Sequence, residues 1–446
     1  MATDKGLTGS ERVRKLQTVL HAKAKEDPER RFHALADKVW RKDFLREAWE
    51  RVRRNGGSAG VDGESIKDIE AQGVEGWLGE LARELREGTY RPRAVRQVLI
   101  PKKQSGKYRP LGIPCLRDRV AQRSALLVLE PIFEADLEPE QYGYRPGRSA
   151  NDAIIRVQEL LKRGHNEVVD GDLSNYFGEI PHAELIRSVA RRVSDGRMLK
   201  WIKAWLEMPE EEDDGKGGRR RRNRGRRQRK GTPQGAPISP LLSNLYLRRF
   251  VVGWKVLGYA RRFSAEIVNY ADDFCVVGKA AGAEMLEAVK RIMEELKLEV
   301  NERKTRCMRC PQEEMEFLGY RIGRNYRRTG KGSYMGTRPS RASVQSLCRK
   351  ISEWTASSNG TLPPGEVVES LNRMMTGWAN YFRLGQVSPA YRAIDRHAVR
   401  RLRQWLCRRH RVRTGGKMRF PDERLWQQYG LTCLETRTKS FPWAKA

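Results

Sequence analysis

The chain has 446 residues, and at roughly 150 residues per domain this length corresponds to about three domains with ample material for buried cores. It contains 88 Lys and Arg against 56 Asp and Glu, a formal net charge of +32, while 39% of its residues are hydrophobic. The hydrophobic fraction excludes a wholly disordered chain. The charge indicates a polyanionic partner, for which nucleic acid is the default.

No apolar run approaches the roughly 18 residues of a membrane span, and the first residues carry no secretory hydrophobic region. The seven cysteines are odd in number and scattered, which does not suggest a disulfide framework. We therefore expect a reduced, cytoplasmic protein without a membrane partner.

The first half of the chain alternates helical and extended patterns. Residues 1–54 favour helices, because their apolar side chains recur at helical spacing. The glycine-rich run 55–63 predicts a loop, 77–87 predicts a second helix, and 95–100 predicts an extended segment.

Two apolar runs further along predict strands, over 168–173 and 267–277. Polar residues at the centre of the second run predict a turn between two strands. A helix with one apolar face follows at 286–296, and helical spacing returns at 371–382. We interpret the stripe at 371–382 as domain core rather than as a direct RNA contact.

An unusual charged segment separates the two strand-like runs. Residues 210–214 are all acidic, and 216–230 are dominated by arginine with no apolar residue among them. We predict a flexible insertion over 210–230. Two roles stay open for it: a flap that binds nucleic acid, or a solvated loop whose acidic half partly neutralises its basic half.

Three aspartates carry the chemistry that the sequence suggests. Asp172 ends the first strand-like run, and Asp272 and Asp273 lie in the turn within the second. Adjacent carboxylates need a compensating cation, and a third carboxylate converging on them forms an oxygen-rich site suited to Mg²⁺. A pair of such ions promotes in-line displacement at phosphorus. In a chain of this charge, the pattern predicts chemistry on a nucleic-acid phosphodiester.

The sequence Tyr-Ala-Asp-Asp at 270–273, between two apolar runs, matches the signature of reverse transcriptases. The whole chain resembles a group II intron-encoded reverse transcriptase and maturase of the compact class that lacks an endonuclease domain. The other matching segments, in the family's order, are 55–63, 100–102 with 109–114, 142–149, 231–235 with 239–240, 301–305, 317–320, and 371–372 with 377–382.

The resemblance implies an α+β fold, a right-hand polymerase whose fingers and palm, with an antiparallel palm sheet, precede a helical thumb. The implied domains are an N-terminal extension with a template-side loop (1–75), fingers and palm (76–330, with the Arg-rich insertion 210–230), a helical thumb or maturase domain (331–410), and a basic nucleic-acid-binding segment (411–446).

The resemblance also implies roles for single residues. Asp172, Asp272 and Asp273 would hold two Mg²⁺ ions, helped by the backbone carbonyl of Leu173. We prefer Asp172 to Asp170, which shares its strand face, because the residues after Asp172 follow the family pattern. The implied nucleotide-binding residues are Lys102 and Arg109 at the triphosphate, Phe177 against a ribose 2′-OH, Gln234 in the nucleotide pocket, and Lys304 near the phosphates.

One departure and one weaker pattern accompany these assignments. Gly178 stands where the family commonly has a further Asp. Cys307 and Cys310 with Cys407 and His410 have the residue types of a zinc site, but the two halves fall in different predicted domains. We prefer unpaired structural cysteines and expect no zinc.

We expect RNA binding from a basic face late in the chain. Its arginines are Arg396, Arg400, Arg401, Arg403, Arg408, Arg409, Arg411 and Arg413.

The expected function is RNA-directed DNA polymerisation with dNTPs on an RNA template with a DNA primer. The same protein would bind its group II intron RNA as a maturase, supporting splicing and retrohoming into a target DNA. Two alternatives stay open. One is a non-enzymatic splicing cofactor that keeps the fold as an RNA scaffold, against which the intact aspartates argue. The other is a domesticated or CRISPR-associated reverse transcriptase of the same lineage, against which the maturase-like segment argues.

Overall fold

A computed structural model describes residues 8–101, 108–213, 219–222, 229–326 and 332–438. Its contacts divide the chain into two compact units. The first comprises Met1–Arg148, Gly171–Phe274 and Ala283–Thr305. The second comprises Ser149–Asp170, Cys275–Gly282 and Arg306–Ala446.

Helices and strands follow one another along the chain, in agreement with the expected α+β class. Up to Asp172 they are α1 (Gly9–Glu26), α2 (Ala36–Val39), α3 (Lys42–Asn55), α4 (Ile66–Gln72), α5 (Val74–Glu87), β1 (Val95–Pro101), β2 (Tyr108–Ile113), α6 (Leu116–Glu134), α7 (Ala150–Lys162) and β3 (Glu167–Asp172). Up to Glu295 they are α8 (Tyr176–Glu179), α9 (His182–Ala190), α10 (Gly196–Leu206), β4 (Glu210–Asp213), β5 (Arg219–Arg222), α11 (Ser239–Val256), α12 (Tyr259–Arg262), β6 (Glu266–Tyr270), β7 (Asp273–Gly278) and α13 (Gly282–Glu295).

Besides a short 3-10 helix at Ser357–Asn359, the described chain from residue 306 onwards has four strands and six α-helices. They are β8 (Arg306–Arg309), β9 (Met315–Phe317), β10 (Tyr320–Tyr326), β11 (Ser333–Pro339), α14 (Arg341–Trp354), α15 (Pro364–Tyr381), α16 (Ser388–Arg409), α17 (Gly416–Arg419), α18 (Asp422–Gln427) and α19 (Leu434–Arg437). Among the helices that the structure describes, none is long and apolar enough to cross a lipid bilayer.

The N-terminal helices form as their patterns predict. Helix α1 starts at a capping box in which Thr8 and Glu11 satisfy each other's backbone N–H groups. Helix α3 buries one face that includes Phe44 and Trp49, and both α1 and α3 pack against α6. Because α6 is enclosed in this way, most of its side chains are buried, and it forms the centre of the first unit's helical layer.

In two parts of the charged segment at 210–230, the structure has strands where the sequence predicted a flexible insertion. Glu210–Asp213 and Arg219–Arg222 are strands β4 and β5, and they extend a four-stranded sheet of order β2-β1-β4-β5. Strand β1 pairs antiparallel with β2 and parallel with β4. The β4–β5 register places each of the four acidic residues of β4 opposite one of the four arginines of β5. Residues 214–218 and 223–228 lie outside the described part.

A second sheet has the order β6-β7-β3-β8 and contains both predicted apolar strands. The side chains of Val168, Val169, Ile267 and Val268 are at most 1% exposed, which explains why these strands are continuous apolar runs. Asp172 and Asp272 therefore lie at or just beyond the ends of these buried strands.

The second unit combines a three-stranded sheet of order β11-β10-β9 with a helical core. Leu371, Met375 and Ala379 of α15 are buried in that core, which confirms that the stripe at 371–382 is structural. Leu425 and Leu434 belong to the same core, so the chain after α16 also contributes to it.

Candidate active site

Asp272 lies in a tight turn between β6 and β7, and the exposed Asp273 starts β7. Between Tyr270 and Asp272, Ala271 has a left-handed backbone with φ of 59°. The buried side chain of Asn269 donates from Nδ2 to the carbonyl oxygens of Ala271, at 2.8 Å, and Asp273, at 3.2 Å. Asn269, the second-last residue of β6, therefore fixes the shape of the turn.

A neighbouring segment supports the same turn. The backbone N–H of Tyr142 donates to the carbonyl of Asn269 at 2.8 Å. A Cβ atom at Gly143 would overlap the backbone nitrogen of Ala271, so only glycine permits this approach. Asn244, buried on α11, donates from Nδ2 to the carbonyl of Gly143 at 2.7 Å. Two layers of buried amide groups thus hold the Asp272 turn in place.

Asp172 ends β3 and is held by the segment at 301–305. The ammonium of Lys304 lies 3.1 Å from both of its carboxylate oxygens, and Asn301 Nδ2 donates to Oδ2 at 3.0 Å. The backbone N–H of Asp172 donates to Thr305 Oγ1 at 3.3 Å. The carboxylate is therefore both oriented and neutralised by side chains far along the sequence.

Leu173 forms an antiparallel bridge with Val300. The N–H of Asn301 donates to the carbonyl of Asp172 at 2.8 Å, which makes Leu173 and Val300 a non-hydrogen-bonded pair. The bridge therefore leaves the Leu173 carbonyl unused, which is compatible with its predicted role as a backbone ligand.

The charges around Asp272 act on its ionisation. Partial desolvation by the surrounding protein and the negative charge of Asp172 raise the pKa of Asp272, while Arg109 and Lys304 oppose that rise. The charges of Asp172, Arg109 and Lys304 therefore all act on the ionisation of Asp272.

A cleft of about 690 Å³ opens beside Asp272. Arg109, Phe177 and Gln234 line it, so the structure brings four predicted site residues to one cavity. The backbone supports this arrangement, since the N–H of Gly112 donates to the carbonyl of Gln234 at 2.7 Å. Lys102, the remaining residue predicted to bind nucleotide, lies outside the described residues.

The cleft also contains groups to which the sequence analysis gave no role. Tyr144 lines it with a left-handed backbone, and burial together with the charge of Asp272 raises the pKa of its hydroxyl. Two arginines of α6, Arg119 and Arg123, line it as well, beside the run at 55–58 that belongs to the predicted template-side loop. Tyr144 lies within a recognised motif, but nothing in the sequence separates the two arginines from other basic residues.

Oxygen atoms form the donor set available to a metal at this site: carboxylates of Asp172, Asp272 and Asp273 with the Leu173 carbonyl. This composition fits Mg²⁺. Within the described ranges, no group of three or more His, Cys, Asp or Glu side chains converges on a metal position. The Asp172 carboxylate contacts Lys304 and Asn301 instead.

The cysteines considered for zinc have other surroundings. Cys307 is exposed, and its thiol donates to the carbonyl of Gly282 at 3.3 Å, while Cys310 is buried. The absence of zinc stays a prediction.

The predicted RNA-binding arginines divide into two groups. Arg401 is half-buried and donates to Thr355 Oγ1 at 3.0 Å and to the carbonyl of Ser352 at 2.8 Å. Arg403 is also half-buried and bonds the carbonyl of Phe420 at 2.8 Å. Both therefore stabilise the helical core of the second unit. The exposed members are Arg396, Arg400, Arg408, Arg409, Arg411 and Arg413.

Comparison with known proteins agrees with this geometry. Residues 100–322 match the family profile described as reverse transcriptase (RNA-dependent DNA polymerase), and residues 344–420 match the group II intron maturase-specific domain. The chain is 34% identical over 366 residues to Protein YkfC of Escherichia coli (strain K12), across 73% of this chain and 92% of that protein.

A second relative, the group II intron-encoded protein LtrA of Lactococcus lactis subsp. cremoris, is 32% identical over 220 residues, which is 48% of this chain and 35% of LtrA. A chain of a solved partial Cas6-RT-Cas1–Cas2 complex aligns with a TM-score of 0.35 and 24% identity, over 58% of this chain and 42% of that one. That structural similarity is too low to bear on function.

The matched reverse transcriptase region spans half of the chain and contains all three aspartates and the residues that line the cleft from Arg109 to Gln234. The expected right-hand polymerase fold and the expected enzyme class are thereby confirmed. The chain belongs to the family of group II intron-encoded reverse transcriptases, the RNA-directed DNA polymerases that carry a maturase domain.

Proposed function

We propose that this reverse transcriptase copies its RNA template from a DNA primer at the cleft beside Asp272, and that it binds its own group II intron RNA to support splicing and retrohoming into target DNA. The observation that carries the proposal is the convergence of Asp272, Arg109, Phe177 and Gln234 on one cleft. We place this activity in the cytosol, where RNA and dNTPs meet.

In the proposed reaction the primer 3′-OH attacks the α-phosphate of a dNTP, a new phosphodiester bond forms, and pyrophosphate leaves. Asp172, Asp272 and Asp273, with the Leu173 carbonyl, would hold two Mg²⁺ ions. When bound, these ions supply Lewis-acid activation of the attacking oxygen and neutralisation of charge on the leaving group.

The other residues position the nucleotide. Arg109 presents a guanidinium at the cleft, where its planar fork suits bidentate contact with the triphosphate. Phe177 places an aromatic ring at the cleft surface, where it would exclude a ribose 2′-OH. Lys304 pairs with Asp172 in the structure, and its charge also acts on Asp272, so it would lie near the phosphates of a bound nucleotide. These contacts hold the reactants in line, which is a large part of catalysis in phosphoryl transfer.

The first experiment is primer extension on an RNA template with dNTPs and Mg²⁺, comparing Asp172→Asn, Asp272→Asn and Asp170→Asn. Asp170 is the matched control, because it lies two residues before Asp172 on the same strand. We expect extension to be lost in the first two variants and kept in the third, with intron RNA binding retained in all three. No extension by a folded, RNA-binding wild-type protein would instead favour the non-enzymatic scaffold.

The maturase part of the proposal concerns the exposed arginines of the second unit. Substituting Arg396, Arg400 and Arg411 by glutamine should weaken intron RNA binding and reduce the dependence of log K on log salt by about three units, roughly one per lost phosphate contact. The control removes the same charge from Arg83, Arg86 and Arg163, which are also exposed. Equal weakening in both triple variants would indicate only a general effect of net charge.

A further inference from the structure

Two arginines of helix α6, Arg119 and Arg123, line the cleft that contains Asp272. Arg119 has partners within the protein: Nε donates to the carbonyl of Pro114 at 2.8 Å, and Nη2 bonds the carbonyl of Ser58. It therefore ties the loop at 55–58 to the start of α6. Its role in the free protein is structural.

Arg123 differs from its neighbour one helical turn away. It is half-buried, and its Nε atom is shielded from solvent with no hydrogen-bonding partner in the described chain. Within that same part of the chain, its guanidinium forms neither a hydrogen bond nor an ion pair. A shielded N–H group without a partner is costly, because it has given up its hydrogen bond to water and gained none in exchange.

The neighbouring side chains do not neutralise the positive charge of Arg123. Burial and the nearby positive charge of Arg51 lower the pKa of Arg123, and the negative charge of Glu130 only partly offsets them. Glu130 is itself partly removed from solvent, and this burial raises the pKa of its carboxyl. Arginine stays protonated even so, and the site therefore has a persistent unbalanced positive charge beside an open cavity.

The shape and location of this charge identify the kind of ligand that would balance it. A guanidinium presents a planar fork of donors that matches the oxygens of a phosphate group. The cavity of about 690 Å³ has room for a nucleotide, and its other polar lining includes Arg109 and Gln234. The ligand that balances Arg123 is therefore an anion that enters this cleft.

We propose that Arg123 is a phosphate-binding residue of the cleft. It takes an oxygen either from the backbone of the nucleic acid template or from the triphosphate of the incoming dNTP. The inference rests on the proposed function, which supplies both of these phosphate-bearing ligands. Arg119 holds the cleft in shape beside it, whereas Arg123, which has no such partner in the described chain, is available to bind a phosphate.

The test compares Arg123→Gln and Arg123→Lys with wild type in two measurements. The first is the Kd of an RNA template–DNA primer duplex over a series of salt concentrations. The second is the KM for dNTP at saturating duplex. Arg51→Gln is the control, because Arg51 is a neighbouring cation that pairs with Glu47 at 2.8 Å and does not line the cleft.

We expect Arg123→Gln to raise one of the two constants about tenfold, the size of effect typical of a lost charged hydrogen bond. A template contact raises Kd and lowers the salt dependence by about one phosphate. A triphosphate contact raises the KM for dNTP and leaves Kd unchanged. Arg123→Lys, which keeps the charge but loses the fork, should fall between wild type and Arg123→Gln, and Arg51→Gln should match wild type.

Thermal unfolding of the free protein separates binding from stability. Removing an unpaired, partly buried charge should leave the melting temperature of Arg123→Gln equal to or above that of wild type. If wild type is active and Arg123→Gln has unchanged Kd and KM, the inference is wrong. It is also wrong if Arg123→Gln differs from wild type only in a lower melting temperature. If Arg123→Gln does not fold, unchanged constants in Arg123→Lys have the same meaning. Inactive wild-type protein would count against the proposed function instead.

Discussion

The ammonium of Lys304 lies 3.1 Å from each carboxylate oxygen of Asp172. The backbone of the turn at 301–305 positions this contact, since the N–H of Lys304 donates to the carbonyl of Asn301 at 3.1 Å. The same ammonium lowers the pKa of Asp272, and it thereby opposes the effect of Asp172 on that carboxyl. A single lysine thus moderates the repulsion between two aspartates that the proposed chemistry needs close together.

Replacing Lys304 by methionine should change the pH dependence of polymerisation. Without the ammonium the pKa of Asp272 rises further, and because the reaction needs the ionised carboxylate, the rate should begin to fall at a higher pH on acidification than in wild type. We also expect an increase of about tenfold in the KM for dNTP, from the lost phosphate contact. The measurement is a pH profile of kcat and KM for both proteins. An unchanged acid limb would show that Lys304 does not act on Asp272.

Gly143→Ala should disable the catalytic turn. The added methyl group would overlap the backbone nitrogen of Ala271 and lie 3.0 Å from the carbonyl carbon of Tyr270, so the turn must shift. A displacement of about 1 Å at a reacting centre costs on the order of a hundredfold in rate. Asn244→Ala removes the hydrogen bond to Gly143 without any clash and should give a smaller loss in the same direction.

Extension rates and melting temperatures of these two variants distinguish the turn's position from global stability. Both proteins should remain folded at the assay temperature while extension declines. Wild-type extension by Gly143→Ala would show that the contact with Ala271 does not constrain Asp272.

Phe177→Ala should relax the choice of sugar. The ring lines the cleft, and its removal opens space at the position where a ribose 2′-OH would otherwise be excluded. Shape discrimination of this kind is worth at least about tenfold per group. We therefore expect the ratio of kcat/KM for dNTP over rNTP to fall by that factor or more, measured by single-nucleotide incorporation. A preserved ratio would assign sugar selection to another residue.

Asp118→Asn should reveal a pH-dependent cost of burying a carboxyl group. Asp118 is 1% exposed and accepts hydrogen bonds from the Tyr90 hydroxyl, at 2.6 Å, and the Arg93 N–H, at 3.0 Å. Burial raises its pKa from 3.8 to about 6, so the folded protein binds this proton more tightly than the unfolded chain does. Its contribution to stability is therefore present at low pH and is lost as pH rises towards the folded pKa.

Asparagine cannot titrate, so the free energy of unfolding of Asp118→Asn relative to wild type should rise by about 3 kcal/mol between pH 3 and pH 7. Urea denaturation across that range measures the difference. A constant offset between the two proteins would contradict the raised pKa.

The sequence by itself determined the local elements and the identity of the catalytic groups. The apolar runs at 168–173 and 267–277 predict buried strands with Asp172 and Asp272 at their ends, because an ionised carboxylate is costly to bury without a partner. Helical spacing at 371–382 likewise predicts a buried stripe, and the structure shows Leu371 and Met375 in the core. These patterns are readable because each depends on neighbours within a few residues.

Only the tertiary structure decided which distant groups meet. The charged segment at 210–222 has no apolar periodicity, and its pairing with β1 depends on the free edge of a sheet formed elsewhere in the chain. Arg403 and Arg411 look alike in sequence, yet the first bonds the Phe420 carbonyl and the second is exposed. Arg119 and Arg123 differ for the same reason: packing around α6 provides carbonyl partners for one guanidinium and leaves the other without them, and such burial and partnership arise only when the chain folds.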